Sequence, residues 1–298
     1  MCGQRLAASA SDSAADPSGT EKRGTMILIT GATGAVGGGV LAELSDAGVS
    51  VRALTRRPEH PFPAGVEVVV GDLHDAATVE RALDGVRGLF LFPEAPTVVA
   101  EALRRSPVGR VVTLSSSTVL DRPVDDVIAR RHREAEAVAE ASGATWVHLR
   151  PGAFASNALR WAPAIRAGDV VNGVYGDAVN TPIDPADIAS VAARALIDER
   201  LENIALTLSG PQALSAHEQL GILSEVLGRS LQWRELDLSQ ARAGLAAHAD
   251  AAMVESMLGL QAQAVRTVPT LSPTVREIIG HDPRTFADWA RAHAEKFR

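Results

Sequence analysis

The sequence predicts an α/β fold, a doubly wound parallel sheet with a smaller substrate lobe on its C-terminal side. Three observations carry the prediction. Apolar runs of strand length alternate with helical segments between residues 26 and 149, the rhythm of a parallel sheet whose crossovers are helices. The first run leads into a turn with glycine at every third position, Gly31, Gly34 and Gly37. The runs are continuously apolar, as in Val68-Val69-Val70, which suits strands covered on both faces.

The elements follow in order. Residues 26–30 form a short buried strand. After the glycine turn, a helix runs through Val40, Leu41 and Leu44 to about Ala47, with Gly48 placed to close it. Residues 49–55 and 66–70 are the second and third strands, 76–83 a helix, 88–92 the fourth strand, 97–105 a helix and 110–114 the fifth strand. A long polar-faced helix is predicted over 124–142, and 145–149 complete the sixth strand. Beyond Arg150-Pro151 the regularity loosens. Pro182-Ile183-Asp184-Pro185 opens a helix over 186–197, and 204–208 read as another strand. Phe286-Ala287-Asp288-Trp289 begins a docking helix near the end.

This gives three regions: a tail over 1–25, a nucleotide-binding domain over 26–150, and a substrate lobe over 151–298 whose segment near 175–210 partly returns to the first domain. The tail is small and polar with no period, so it buries too little surface to order itself. It lacks the apolar centre of a signal peptide, and Met26, at the first strand, is an alternative start site. No run approaches the roughly 18 apolar residues of a membrane span.

Composition excludes several chemistries. The chain has 298 residues but one tyrosine, Tyr175, and two lysines, Lys22 and Lys296, both near the ends. Schiff-base chemistry and a P-loop lysine in the body of the fold are therefore out. The residue four after Tyr175 is Val179, so a Tyr-x-x-x-Lys pair is absent. A net charge of −7 argues against nucleic acid as a partner. The single cysteine, Cys2, closes no internal disulfide, and a reducing cytoplasm is the simplest location. The histidines show no metal-binding spacing, so no metal is expected.

The turn Gly31-Ala32-Thr33-Gly34-Ala35-Val36-Gly37 lies between a predicted strand and a predicted helix. Glycines there let a diphosphate approach the main chain, and the helix N-terminus offers amide donors. This makes the sheet Rossmann-type. An enzyme preferring NAD places an acid at the end of the second strand; here stand Thr55-Arg56-Arg57-Pro58. Arg56, with Arg57 as second candidate, suits a ribose 2′-phosphate. The expected cofactor is NADP(H), held by Gly31, Thr33, Gly34, Ala35, Val36, Gly37, Thr55, Arg56 and Arg57.

The run Thr30-Gly31-Ala32-Thr33-Gly34-x-x-Gly37, then Thr55-Arg56-Arg57-Pro58 and Gly71-Asp72-Leu73, resembles the atypical short-chain dehydrogenase/reductases. Leu149-Arg150-Pro151-Gly152-Ala153-Phe154 with Asn157, Asp184-Pro185-Ala186-Asp187-Ile188-Ala189 and Thr207-Leu208-Ser209-Gly210-Pro211 resemble its NmrA-like branch. That branch includes NAD(P)H-dependent quinone and azo-dye reductases, isoflavone-reductase-like enzymes and redox sensors that bind NADP without turning it over. The resemblance implies that Asp72 contacts the adenine amino group, that Leu73 meets its ring, and that Phe92 and Pro93 line the cofactor groove. Ser115, at the end of the fifth strand, joins the cofactor set.

In the wider superfamily a serine after the fifth strand orients the substrate, and a tyrosine and lysine relay the proton. Ser117 best matches the serine, with Ser116 as runner-up. The tyrosine and lysine positions fall at His132-Arg133-Glu134-Ala135-Glu136. His132 and Glu136 share a helix face, and the carboxylate is expected to raise the histidine pKa so that His132 donates a proton near neutral pH. The same stretch also reads as a solvated, charge-laced helix. Without the usual relay, conjugated acceptors such as quinones and enones are favoured over simple ketones, because their charge is spread as hydride arrives. Phe154, Asn157 and Tyr175 are the expected substrate contacts, and Arg150 and Asp187 a structural pair. The expected function is NADPH-dependent reduction of a small conjugated carbonyl or quinone-like acceptor. The alternatives are a non-catalytic NADP(H) sensor acting through a protein partner, and redox-neutral chemistry with retained cofactor. A small-molecule substrate is the expected partner, with neither nucleic acid nor membrane, and a homo-oligomer is compatible with the sequence.

Overall fold

The computed structural model describes residues 26–267 and 269–298; the expected tail over 1–25 lies outside the described residues. The first half alternates except where β3 follows β2 directly: β1 (Met26–Ile29), α1 (Ala35–Asp46), β2 (Val51–Thr55), β3 (Glu67–Val70), α2 (Ala76–Leu83), β4 (Val86–Leu91), α3 (Pro96–Leu103), β5 (Arg110–Leu114), a single turn α4 (Thr118–Asp121), α5 (Val127–Glu140) and β6 (Thr145–Pro151). A 3-10 helix (Ala155–Trp161), α6 (Ala162–Ala167), β7 (Val170–Gly173), α7 (Pro185–Ile197) and β8 (Ile204–Leu208) follow. The chain ends with α8 (Ala216–Leu227), β9 (Gln232–Glu235), α9 (Leu238–Ala246), α10 (Ala251–Arg266), α11 (Thr274–Ile279), α12 (Phe286–Ala292) and a terminal 3-10 turn.

Seven strands make one parallel sheet in the order β3-β2-β1-β4-β5-β6-β8. This is the predicted doubly wound architecture. The order reverses between β1 and β4, which opens the crevice where such sheets bind ligands. One face packs Ile27, Ile29, Val112 and Val147 against Val40, Leu44, Ile188 and Val191. The other packs Leu28, Leu89 and Val111 against Val79, Leu83, Val99 and Ala139. Continuous apolar strands thus serve two cores.

The third strand departs from expectation. Its three valines do not lie under helices on both faces. β3 is the sheet edge, with Val68 and Val70 39% and 50% exposed, and only Val69 packs into a core. The long helix also starts later than predicted, because the Asp126 carboxylate accepts from the amides of Ile128 and Ala129 and caps α5 there.

β8 pairs with β6 from Val147↔Ile204 to Pro151↔Leu208, so residues beyond 150 complete the sheet. α7 lies on α1 so closely that a Cβ on Gly39 would come within 2.7 Å of the Ala189 Cβ. β7 and β9 form a separate parallel pair, around which Trp161, Leu220, Leu223, Phe286 and Trp289 build a third core. No helix among the described residues is long and apolar enough to cross a membrane.

Candidate active site

The carboxyl ends of the strands carry two depressions. The first is a crevice lined by Gly31, Thr33, Thr55, Arg56, Arg57, Gly71, Asp72, Leu73 and Glu94. Sequence reasoning named seven of these and passed over Gly71, which it quoted only as part of a motif, and Glu94. The glycines show why the loop suits a diphosphate. A Cβ on Gly37 would sit 2.3 Å from the Gly31 carbonyl oxygen, and Gly31 itself has φ +64°. Gly34 caps α1 without any side-chain acceptor, and no acid stands in the first turn. The leading amides, those of Ala35, Val36 and Gly37, therefore face the crevice end of the helix with no side chain to satisfy them, which fits an incoming phosphate.

Around the ribose position, the Thr55 hydroxyl accepts the Arg57 amide at 2.9 Å and fixes the turn. Arg56 reaches outward, its Nη1 3.5 Å from Asp72 Oδ2. Asp72 closes a local turn as well: its Oδ1 accepts the His74 amide at 2.9 Å and meets His74 Nδ1 at 2.8 Å. The hydrogen bond from the His74 backbone, helped by the His74 ring, holds the carboxyl below its usual range. Leu73 is buried and packs beneath the crevice. Phe92 lies under Gly31, its ring carbon 3.3 Å from where a Cβ would be. The Pro93 carbonyl accepts from Arg131, whose guanidinium lies 5.7 Å from the Phe92 ring centre. In the sequence Arg131 reads only as one of the charges flanking His132.

Ser115 is corrected. It is buried, and its hydroxyl donates to Glu136 Oε1 at 2.5 Å, so its side chain is committed inside the fold rather than at the cofactor. Glu136 is engaged further, since Arg150 donates from Nε to Oε1 and from Nη2 to Oε2, both at 2.8 Å. Burial pushes the Glu136 carboxyl upward, but the hydrogen bonds from Arg150 and Ser115 outweigh it and hold it below the ordinary glutamate range.

The expected His132–Glu136 relay is corrected for the same reason. With its carboxylate held by Arg150 and Ser115, Glu136 does too little to keep His132 charged. Burial, and then the neighbouring Arg131, bring the His132 pKa down to about 4, and its buried Nδ1 has no partner among the described residues. The Arg150–Asp187 pair is not formed either: Asp187 is fully buried and is bridged by the backbone and guanidinium of Arg284.

The second depression lies beyond β5 and β6. One part, about 340 Å3, is lined by Ser116, Ser117, Asn157, Arg160, Asn180, Met257, Leu260 and Gln261. It continues past Ser117, Thr118, Gly152, Ala153, Asn180 and Leu260 into a part of about 380 Å3 bounded by Leu120, Val179, Leu208, Ala264 and Pro269. Ser117 and Asn157, two of the expected site residues, line it. Phe154 is not on this wall; its ring packs against the sheet core. Tyr175 is corrected too. It sits in a turn at φ +57° and packs with Val174, Leu236 and Leu245 away from the cleft.

Two elements supply what sequence reasoning missed. Asn157 and Arg160 are three apart on a 3-10 helix, whose three-residue turn brings both side chains to one edge. Met257, Leu260, Gln261 and Ala264 have the i, i+3, i+4, i+7 spacing of one helix face, and that face of α10 is the outer wall. The spacing was visible in the sequence, but nothing there said what it faced. α10 is pinned from below by Ser256 donating to Asp126 at 2.9 Å and Gln263 donating to Asp121 at 2.7 Å. Arg122 joins them, donating to Asp126 at 2.7 Å and to Gln263 at 3.1 Å.

Comparison with known proteins agrees with this geometry. A family model described as NAD(P)H-binding matches residues 31–199. A (4-alkanoyl-5-oxo-2,5-dihydrofuran-3-yl)methyl phosphate reductase of Streptomyces griseus is 43% identical over 280 residues, covering 91% of this chain and 99% of that protein. An NAD(P)H azoreductase of Xenophilus azovorans is 32% identical over 292 residues, covering 91% and 99%. The crystal structure of an NADPH-dependent quinone oxidoreductase from Escherichia coli superposes with a TM-score of 0.75 at 26% identity, covering 91% of this chain and all of that one. The chain therefore belongs to the NAD(P)H-binding family, in the NmrA-like branch of the atypical short-chain dehydrogenase/reductases, and is an NAD(P)H-dependent oxidoreductase.

Proposed function

We propose that the protein uses NADPH to reduce a small acceptor whose carbon–carbon double bond is conjugated with a carbonyl, an enone lactone or a quinone. The observation that carries this reading is the makeup of the inner cleft: hydroxyls, amides and one guanidinium line it, with no tyrosine, lysine, histidine or carboxylate. A ketone becoming an alkoxide needs a strong proton donor close by. An enone accepting hydride at its β carbon breaks the carbon–carbon π bond and leaves an enolate, whose charge rests largely on oxygen. Hydroxyl and amide donors suffice to hold that oxygen, and the α carbon then takes a proton from water.

Bound in the crevice, NADPH supplies the hydride. The chain's own residues do the rest. The amides at the head of α1 hold the diphosphate, and Arg56 and Arg57, with no acid at the end of β2, favour the 2′-phosphate of NADPH over the free ribose of NADH. Ser117 and Asn157 orient the acceptor. The relatives support the reading: the Streptomyces protein is named for a 5-oxo-2,5-dihydrofuran, whose ring carbonyl is conjugated with a ring double bond. The residues beyond Pro151, less α7 and β8, act as the substrate lobe.

The test is anaerobic mixing of the protein and NADPH with matched enones, quinones and isolated ketones, followed by NADPH absorbance. Consumption with the conjugated acceptors and none with the ketones is expected. Ketone reduction without enone or quinone turnover would overturn the proposal, and tight cofactor binding with no turnover on any acceptor would favour a sensor.

A further inference from the structure

Four arginines of this fold illustrate how its guanidinium groups are matched. Arg122 has Asp126, Arg150 has Glu136, Arg284 has Asp187, and Arg110 donates to the carbonyls of Ala195 and Leu201. Arg160 is different. It lines the inner cleft, yet among the described residues no carboxylate lies within 4 Å and no acceptor takes its hydrogens. Its one neighbour of note is the Trp161 ring, 5.9 Å away, an indole face that steadies a cation without neutralising it. Arg160 is exposed to solvent, and the protein around its guanidinium draws its pKa below the ordinary arginine value. An exposed cation in a cleft with no counter-ion is free to meet an anion that arrives with the ligand.

The surroundings say which kind. Asn157, Asn180 and Gln261 bring amide donors to the same space, so a group with several acceptor oxygens is better served than one with two. The guanidinium fork suits phosphate geometry. Past Asn180 and Leu260 the walls are mixed, with Leu120, Val179, Ala264 and Pro269 set among Asp121, Thr181, Gln263 and Thr267. The cleft thus has a cationic, donor-rich end, and on its α10 wall the apolar side chains Met257, Leu260 and Ala264.

We propose that Arg160 is the specificity-determining residue of this site, binding a phosphate monoester carried by the acceptor while the α10 face receives an aliphatic chain on the same molecule. This rests on the proposed acceptor reduction for its site, but its test is independent of turnover. With the protein saturated in NADP+, which cannot reduce anything, calorimetry measures binding of three ligands sharing one alkanoyl-furanone ring: the methyl phosphate, the methyl carboxylate analogue and the neutral alcohol.

The phosphate is expected to bind about tenfold to a hundredfold more tightly than the alcohol, with the carboxylate between. Arg160→Ala and Arg160→Gln should abolish the preference, and Arg160→Lys should keep part of it, with NADP+ affinity unchanged in all three as the sign of an intact fold. Shortening the alkanoyl chain should weaken every ligand. Equal affinity for phosphate and alcohol, equal affinity for phosphate and carboxylate, or a phosphate preference that survives Arg160→Ala would overturn the proposal. Absence of NADPH oxidation would sink the reductase reading alone and leave the binding result standing.

Discussion

Arg150 grips Glu136 with two parallel hydrogen bonds of 2.8 Å, joining the end of β6 to the middle of α5 beneath the cleft. Glu136 side-chain exposure is 9% and Arg150 21%, so removing one partner strands a mostly buried charge. Glu136→Ala should cost about 3 kcal/mol, the low end for a buried pair because Arg150 keeps some water. Ser115→Ala should cost about 1 kcal/mol through its lost hydrogen bond. Urea unfolding checks both. Because the folded Glu136 pKa lies below its ordinary value of 4.5, its contribution is fully present above that value and is lost as pH falls through the depressed folded pKa. Glu136→Gln should flatten the acid limb of a stability-against-pH curve, and an unchanged limb would refute the assignment.

Gly37→Ala should disable cofactor binding. The added Cβ would lie 2.3 Å from the Gly31 carbonyl oxygen and 2.8 Å from its carbon, backbone atoms that cannot swing aside. The loop must move, and the first amides of α1 lose their aim. We expect the NADPH dissociation constant to rise at least about tenfold by fluorescence titration. Wild-type affinity in the variant would mean that the phosphates bind elsewhere.

Arg56→Glu should invert cofactor preference. Its contact with Asp72 at 3.5 Å is exposed and screened by solvent, so folding should hardly change. NADPH affinity should fall by about tenfold to a hundredfold while NADH affinity is kept. Titration with both nucleotides tests this, and equal losses for the two would point away from the 2′-phosphate.

His132→Gln should leave the pH dependence of turnover unaltered between pH 6 and 8, since a group with a pKa of about 4 does not titrate there. Its signature belongs in stability instead. The unfolded histidine takes a proton near its ordinary 6.5 and the folded one only near 4, so stability falls as pH drops between those values. His132→Gln should lose that slope in thermal melts from pH 6.5 to 4.5. A neutral-pH limb in kcat that vanishes with His132→Gln would restore the proton-donor role.

Local signals carried the sheet and the crevice. Glycine spacing, continuous apolar strands and paired arginines after β2 are short-range features, and the side chains they involve stay near their neighbours in sequence. The edge position of β3 was illegible, because three valines look the same whether one face or two is covered. His132 and Glu136 misled for a physical reason. Helical spacing showed that they share a face, but Arg150, from the next strand, reaches Glu136 first. Arg160 and the α10 face depend on contacts across about a hundred residues, and periodicity alone marks a face without saying what it meets.

The close seat of α7 on α1, where Gly39 leaves room for Ala189, has a consequence for biosynthesis. α1 ends at Asp46 and α7 begins at Pro185. A ribosome adding about 5–20 residues per second needs on the order of ten seconds to bridge that distance. Throughout that interval Val40, Leu41 and Leu44 have only part of their final cover, and β6, once made, waits for β8 with one edge bare. The nascent chain therefore passes through a stage that is sticky on one flank, and release from it coincides with emergence of the α7–β8 segment. A fragment ending near residue 150 would be arrested at that stage, so it should aggregate where the full chain does not.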